Sequence, residues 1–161
     1  MVQLLVENGA EIDHGPRLGL IRTPLQRAVE IGKFDMVQYL LKRGAPVDSA
    51  PFYSGGTPLQ LAAIGGYVGV ATLLLETGAD PNHLPAKEHG RTALETATEW
   101  SRIDMMSLLV SKNVNLDLVV DENDETQYRR ALDFAEKRGQ MASKRFLERL
   151  RRDSWVDALN L

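Results

Sequence analysis

The chain has 161 residues, 43% of them apolar and 25% charged, with a formal net charge of −3 at pH 7 and no cysteine. The missing cysteines exclude disulfides and thiolate metal sites and fit an intracellular protein, cytoplasmic or nuclear. There is no run of eighteen apolar residues to suit a bilayer, no signal-peptide layout at the amino terminus and no N-x-S/T sequon.

The opening stretch Val2–Asp13, VQLLVENGAEID, reads as the second helix and exit of a unit that lacks its first helix; either the chain is a piece cut from a longer array, the favoured reading, or its start is divergent. The pattern then becomes complete. Thr23–Asp48 (TPLQRAVEIGKFDMVQYLLKRGAPVD) returns 34 residues later as Thr57–Asn82 (TPLQLAAIGGYVGVATLLLETGADPN), and 35 residues after that as Thr92–Asp117 (TALETATEWSRIDMMSLLVSKNVNLD). Each copy reads as two short helices and a loop. Thr23 and Thr57 can cap the free amides of a first turn, and Pro24 and Pro58 follow at the first helical position, where a missing N–H costs nothing. Gly32 and Gly66 interrupt the pattern, and second apolar-periodic runs follow, Met36, Val37, Leu40 and Leu41 in one copy and Val70, Ala71, Leu74 and Leu75 in the next. Gly44 and Gly78 then supply the positive φ that ends a helix, with Asn113 as the substitute in the third copy. Ala131–Leu150 (ALDFAEKRGQMASKRFLERL) keeps Ala-Leu-x-x-Ala and Gly139 but loses the Thr, the Pro and the Gly-Ala exit.

These units resemble ankyrin repeats, whose pattern is T-P-L-H-x-A near a 33-residue period. The resemblance implies an all-α helix-turn-helix solenoid with projecting β-hairpin loops. It divides one domain into a partial unit at 1–13, clear repeats at 23–48, 57–82 and 92–117, a divergent capping unit at 127–152 and a tail at 153–161. The His of the pattern is Gln26, Gln60 and Glu95 here, which is expected to weaken hydrogen bonds between neighbouring loops. The family also implies a rigid, non-catalytic scaffold that recognises another protein through its fingers and concave inner helices; a purely structural spacer between domains of a larger protein is an alternative.

The fingers run His14–Arg22, Ser49–Gly56, His83–Arg91 and Leu118–Arg130. Insertions in a solenoid gather on one face, and that face is often the binding one. Phe52 and Tyr53 stand out there. Either Phe52 folds back over a neighbouring finger or it faces a partner, whereas Tyr53, with its polar tip, suits a partner better.

The last unit changes charge: residues 127–152 carry nine Lys or Arg against three Asp or Glu, while residues 1–126 carry ten against seventeen. Two readings follow. Lys144, Arg145, Arg149, Arg151 and Arg152 form the solvated face of a cap, with Ala142, Phe146, Leu147 and Leu150 packed inward, or the helix meets a nucleic acid or an acidic membrane. The absence of interleaved aromatics and the negative overall charge favour the cap. Trp155, Val156, Leu159 and Leu161 would close the stack as a lid or stay free as a short ligand.

Enzyme chemistry has little foothold. His14, His83 and His89 all fall in fingers; His83 and His89 flank Glu88 but lack a fourth metal ligand, so no metal site is expected. Asp121, Glu122, Asp124 and Glu125 lack the glycine and spacing of an EF-hand, and Gly65, Gly66 and Gly69 are no phosphate loop. No cofactor, small-molecule substrate or oligomeric partner is expected.

The expected partner face lies at the end of each first helix. Counting from each Thr gives Glu30 and Ile31, Ile64 and Gly65, then Glu99 and Trp100, with Lys137 and Arg138 as equivalents in the last unit. Ile31, Ile64 and Trp100 would make an apolar row rimmed by charge, the anatomy of an interface hot spot. Alternatively Trp100 packs under its own finger, near Tyr128 or the His89 loop. 

Overall fold

The computed structural model describes residues 12, 22–49, 56–86 and 90–159, the last six of these as backbone alone. Phe52, Tyr53, His14, His89, nearly all of Val2–Asp13 and the side chains of Trp155–Leu161 lie outside the described residues. The described residues form four helix pairs: α1 (Pro24–Glu30) with α2 (Phe34–Lys42), α3 (Pro58–Gly65) with α4 (Val68–Glu76), α5 (Ala93–Glu99) with α6 (Ile103–Ser111), and α7 (Gln127–Lys137) with α8 (Met141–Leu159).

Each of the first three pairs starts with a reciprocal cap. Thr23 Oγ1 accepts from the Gln26 N–H at 3.2 Å while Gln26 Oε1 accepts from the Thr23 N–H at 2.9 Å. Thr57 with Gln60 and Thr92 with Glu95 repeat it, so two otherwise orphaned amides are satisfied at every start. The first helices end in tight left-handed turns, Gly32 at φ 66° and Gly66 at φ 69°, and Ser101 adopts φ 53° where its neighbours have glycine. Asn113 ends its helix at φ 60°, as the pattern of the chain anticipates.

The fourth pair begins differently. Thr126, one turn upstream of the position matching the other threonines, caps α7 through the Arg129 N–H. The helix therefore starts at Gln127, and the finger expected to reach Arg130 is shorter. That finger carries the hairpin pairing found among the described residues, a single antiparallel bridge between Val119 and Thr126. 

Stacking places first helices beside first helices (α1, α3, α5, α7) and second beside second (α2, α4, α6), a two-layer solenoid whose core is a stripe. Leu25, Leu59 and Leu94 are buried at matching positions, and Ala28, Ala62, Ala97 and Ala135 beside them let neighbouring units approach closely. Leu132, the fourth equivalent, is only partly covered. From the second layer come Val37, Leu40, Val70, Leu74, Met105, Met106, Leu109 and Leu147. On α8 the inward side is Leu147 and Ser143, with Phe146 and Leu150 half-covered; Ala142 is exposed, against expectation, because the buried row runs 143–147 and leaves it a quarter-turn outside.

The repeats are also tied side by side through polar groups. Gln26 Nε2 donates to the carbonyls of Ser49 (3.2 Å) and Gly56 (3.3 Å), and Gln60 Nε2 to those of His83 (3.1 Å) and Leu84 (3.3 Å). The glutamines thus make the loop links that the absent histidines were expected to lose. At the other edge, Asp48 accepts from the Asp80 N–H at 2.9 Å and Asn82 from the Asn115 N–H at 2.6 Å.

Candidate partner-binding face

Where the ends of the first helices meet the bases of the fingers, the same ion pair forms in two repeats. Arg22 stands 3.5 Å from Glu30, and Arg91 stands 2.7 Å from Glu99, each arginine directly preceding a capping threonine. Arg91 is further held over the Phe134 ring, 4.5 Å from its centroid. Glu99 also accepts from Arg138, the residue that caps the end of α7, at 2.9 Å and 3.1 Å, so one nearly covered carboxylate joins two arginines from adjacent units. Arg138 in turn lies over the Trp100 ring at 5.6 Å, a cation–π contact at the rim of the face.

Between these pairs is a hollow of about 300 Å³ lined by Gly56, Ile64, Arg91, Trp100 and Arg138 among others. Ile64 and Trp100, which both line it, leave about half of their surface exposed, 48% and 49%. Four of the residues expected at the site, Ile64, Glu99, Trp100 and Arg138, therefore meet in one place. Glu30 flanks them through its contact with Arg22, which also lines the hollow. Ile31 does not join them; it lines a separate apolar recess with Pro24 and Phe34 at the α1–α2 end. Lys137 turns aside to Asp133, four residues back on α7, at 2.6 Å. Tyr128, considered as a packing partner for Trp100, instead carries Arg151 over its ring at 5.3 Å.

Sequence reasoning passed over Arg22, Gly56 and Arg91. Their signal was available, since an Arg just before the Thr and a Glu eight residues later occur together in two copies and are jointly replaced in the third. 

Next to the hollow is a buried carboxylate of another kind. Glu95 is fully covered, and burial pushes its carboxyl up from 4.5 to about 7, outweighing the Thr92 N–H and the cations Arg130 and Arg91 that favour ionisation. In contrast, Arg151 hydrogen-bonded at 2.9 Å holds the exposed Asp117 below the ordinary carboxylate range. Of the fingers' polar groups, Asp121 is no loose acid: its carboxylate accepts from the N–H groups of Asn123 and Glu125 and shapes the turn. His83, in the third finger, has Nδ1 3.0 Å from the Leu84 carbonyl. No group of three or more His, Cys, Asp or Glu suited to a metal occurs among the described residues, and no described helix is long and apolar enough to cross a membrane.

A family model of ankyrin repeats, in three copies, matches residues 1–85 and 54–120. Among curated proteins the chain is 37% identical over 109 residues (68% of this chain) to an ankyrin repeat and KH domain-containing protein of Caenorhabditis briggsae, of which the match covers 4%. It is 36% identical over 96 residues (60% of this chain) to the ankyrin repeat and KH domain-containing protein mask of Drosophila melanogaster, covering 2% of that protein. It is also 42% identical over 105 residues (65% of this chain) to the B-cell lymphoma 3 protein homolog of Mus musculus, covering 22% of it. The chain thus spans a small part of the curated relatives it matches. With the reciprocal Thr caps, the stacked helix pairs and a family model covering residues 1–120, this chain belongs to the ankyrin-repeat family, whose members generally act in protein–protein interaction and are generally not catalysts.

Proposed function

We propose that the chain is a non-catalytic interaction module that grips another protein across the concave face, with the finger loops, and Phe52 and Tyr53 of the second in particular, taking part. The observation that carries this reading is the juxtaposition of Ile64 and Trp100, half-exposed side by side over a hollow rimmed by charge. An exposed Trp on a face built of rigid helices loses little conformational entropy on binding, and Trp is among the residue types most enriched at interface hot spots. An intracellular, monomeric protein is the setting this reading supposes.

The test compares the parent chain with Trp100→Ala: affinity capture from the source cell with the parent, then the affinity of each chain for the captured partner and the melting of each chain. Under this reading the partner binds about 2 kcal/mol or more weaker, while melting barely moves. A steep fall in melting temperature with unchanged affinity of the folded protein would remove Trp100 from the site.

A second reading places an anionic partner, nucleic acid or acidic lipid, on α8. Arg145, Arg149 and Arg152 are exposed at helical spacing, and no ion pair holds them among the described residues. Against it, the other six cations of residues 127–152 all stand in ion pairs. Retention that collapses between low and moderate salt would favour this second reading, because phosphate contacts release counterions.

A further inference from the structure

The arginine–glutamate pairs that close the concave face at the first and third repeats have no counterpart at the second. The positions of Arg22 and Glu30, and of Arg91 and Glu99, are taken there by Gly56 and Ile64. Glycine removes the side chain that would fill the finger base, and isoleucine puts an apolar wall where a carboxylate would sit. Hence the hollow: it opens at the one repeat among these three that lacks the pair, with Trp100 of the next repeat as its far wall.

Its rim is cationic although the chain as a whole is not. Glu99, 5% exposed, serves Arg91 and Arg138, and Glu30 serves Arg22 and Arg27. Each carboxylate is thus shared between two guanidiniums, and Arg138 remains 55% exposed while sharing its acid. A planar guanidinium with unused N–H groups and an aromatic ring beneath it is well placed to take a further carboxylate.

We propose that the hollow receives an extended peptide carrying one large apolar side chain beside an Asp or Glu. The apolar group sits over Gly56 between Ile64 and Trp100, and the carboxylate meets Arg138 or, at the opposite rim, Arg22. This rests on the concave face being the binding face and names the chemistry that it selects.

The test is a selection of random twelve-residue peptides displayed on phage against the intact chain, with anisotropy of the enriched peptides in solution. The expected peptides carry an apolar residue next to an acidic one, and replacing either weakens binding about tenfold. Gly56→Arg with Ile64→Glu installs the pair that the flanking repeats already carry. A Cβ at Gly56 would stand 3.1 Å from that of Gln60, so melting is read first; the folded double variant should lose the peptides about tenfold or more, and so should Ile64→Glu alone, which adds nothing at Gly56. Arg138→Ala should weaken acidic peptides more than it weakens their neutral versions. Enrichment of basic peptides, no enrichment, or equal binding to the double variant would overturn the proposal. So would peptides that are selected only once Phe52 and Tyr53 are both changed to Ala, which would make the chain's own finger the occupant. Failure here with a natural partner still lost on Trp100→Ala would leave the binding face standing and discard only its chemistry. Acidic peptides lost on the double variant, with a natural partner indifferent to Trp100→Ala, would do the reverse.

Discussion

Arg130 brings its Nε to 3.3 Å from Oε1 of Glu95, yet that oxygen accepts no hydrogen bond. The distance is that of an ion pair, but the N–H is not aimed at the acceptor. Arg130 spends a donor on the Gly90 carbonyl at 3.2 Å and also approaches Asp121 at 3.9 Å. A fully buried carboxylate is therefore left half-satisfied at a position where two sister repeats have an amide. This is the main conflict between local chemistry and fold in the described chain.

The pH dependence follows from it. The carboxyl of Glu95 titrates near 7 in the folded chain against 4.5 for the free side chain, so the folded state holds a proton that the unfolded state has shed. The resulting stability is fully present below pH 4.5, declines as pH rises from there to 7, and is gone above. The shift corresponds to about 3 kcal/mol as an upper bound. Glu95→Gln should match the parent near pH 4.5 and exceed it at pH 8 by about 1–3 kcal/mol. Parallel melting-temperature profiles for the two chains across that range would rule this account out.

Gln60 is the converse case, an amide using every group it has. Its oxygen takes the Thr57 N–H and its nitrogen supplies two finger carbonyls. Gln60→Ala should cost about 2–4 kcal/mol, because buried groups in two repeats lose partners together. Urea denaturation would measure it, and a loss under about 1 kcal/mol would mean that water replaces these bonds.

Within the core, Leu59→Ala should cost about 2–5 kcal/mol through the cavity it leaves. Ala62→Leu should cost about 1–3 kcal/mol through overpacking, since Ala62 is fully buried in the core between stacked first helices. Either variant melting like the parent would contradict the repeat register.

Asp117 supplies the contrast. Its pairing with Arg151 lowers its pKa, so the associated stability is present above the ordinary carboxylate pKa of 3.8 and is lost as pH falls through the lower, folded value. The Asp117 side chain is largely in water and that of Arg151 about a third so, and pairs open to solvent on one side contribute little; Asp117→Asn should change stability by about 0.5–1 kcal/mol or less at pH 7. A loss of several kcal/mol would point to a fixed role in holding α8.

The frame of the fold was legible because its signals are local. Thr-Pro at 23 and 57, and Gly or Asn at 44, 78 and 113, encode backbone geometry within a few residues, and the helices start and stop there. Gln26 and Gln60 were legible in principle: Thr-x-x-Gln is a capping signature, though it reads at first as a lost histidine. The start of α7 was harder, since Thr126 lies among acidic finger residues and the usual Pro is missing. The candidate face was only half visible. Ile64 and Trp100 each stand out within their own unit as apolar residues the repeat stripe does not need, but Arg138 meets Glu99 across 39 positions, and contacts between units depend on how neighbours stack. 

The ladder of Asp48 to Asp80 and Asn82 to Asn115 spans 32 and 33 positions, about one repeat each time. Its rungs join neighbours and nothing further along, as do the glutamine links. Among the described residues each unit is fastened only to the next, and the stack has no strut that spreads load over its length. Pulled from its two ends, it should therefore give way one helix pair at a time, in a sawtooth whose steps each release roughly 110 Å of chain, the stretched length of about 33 residues.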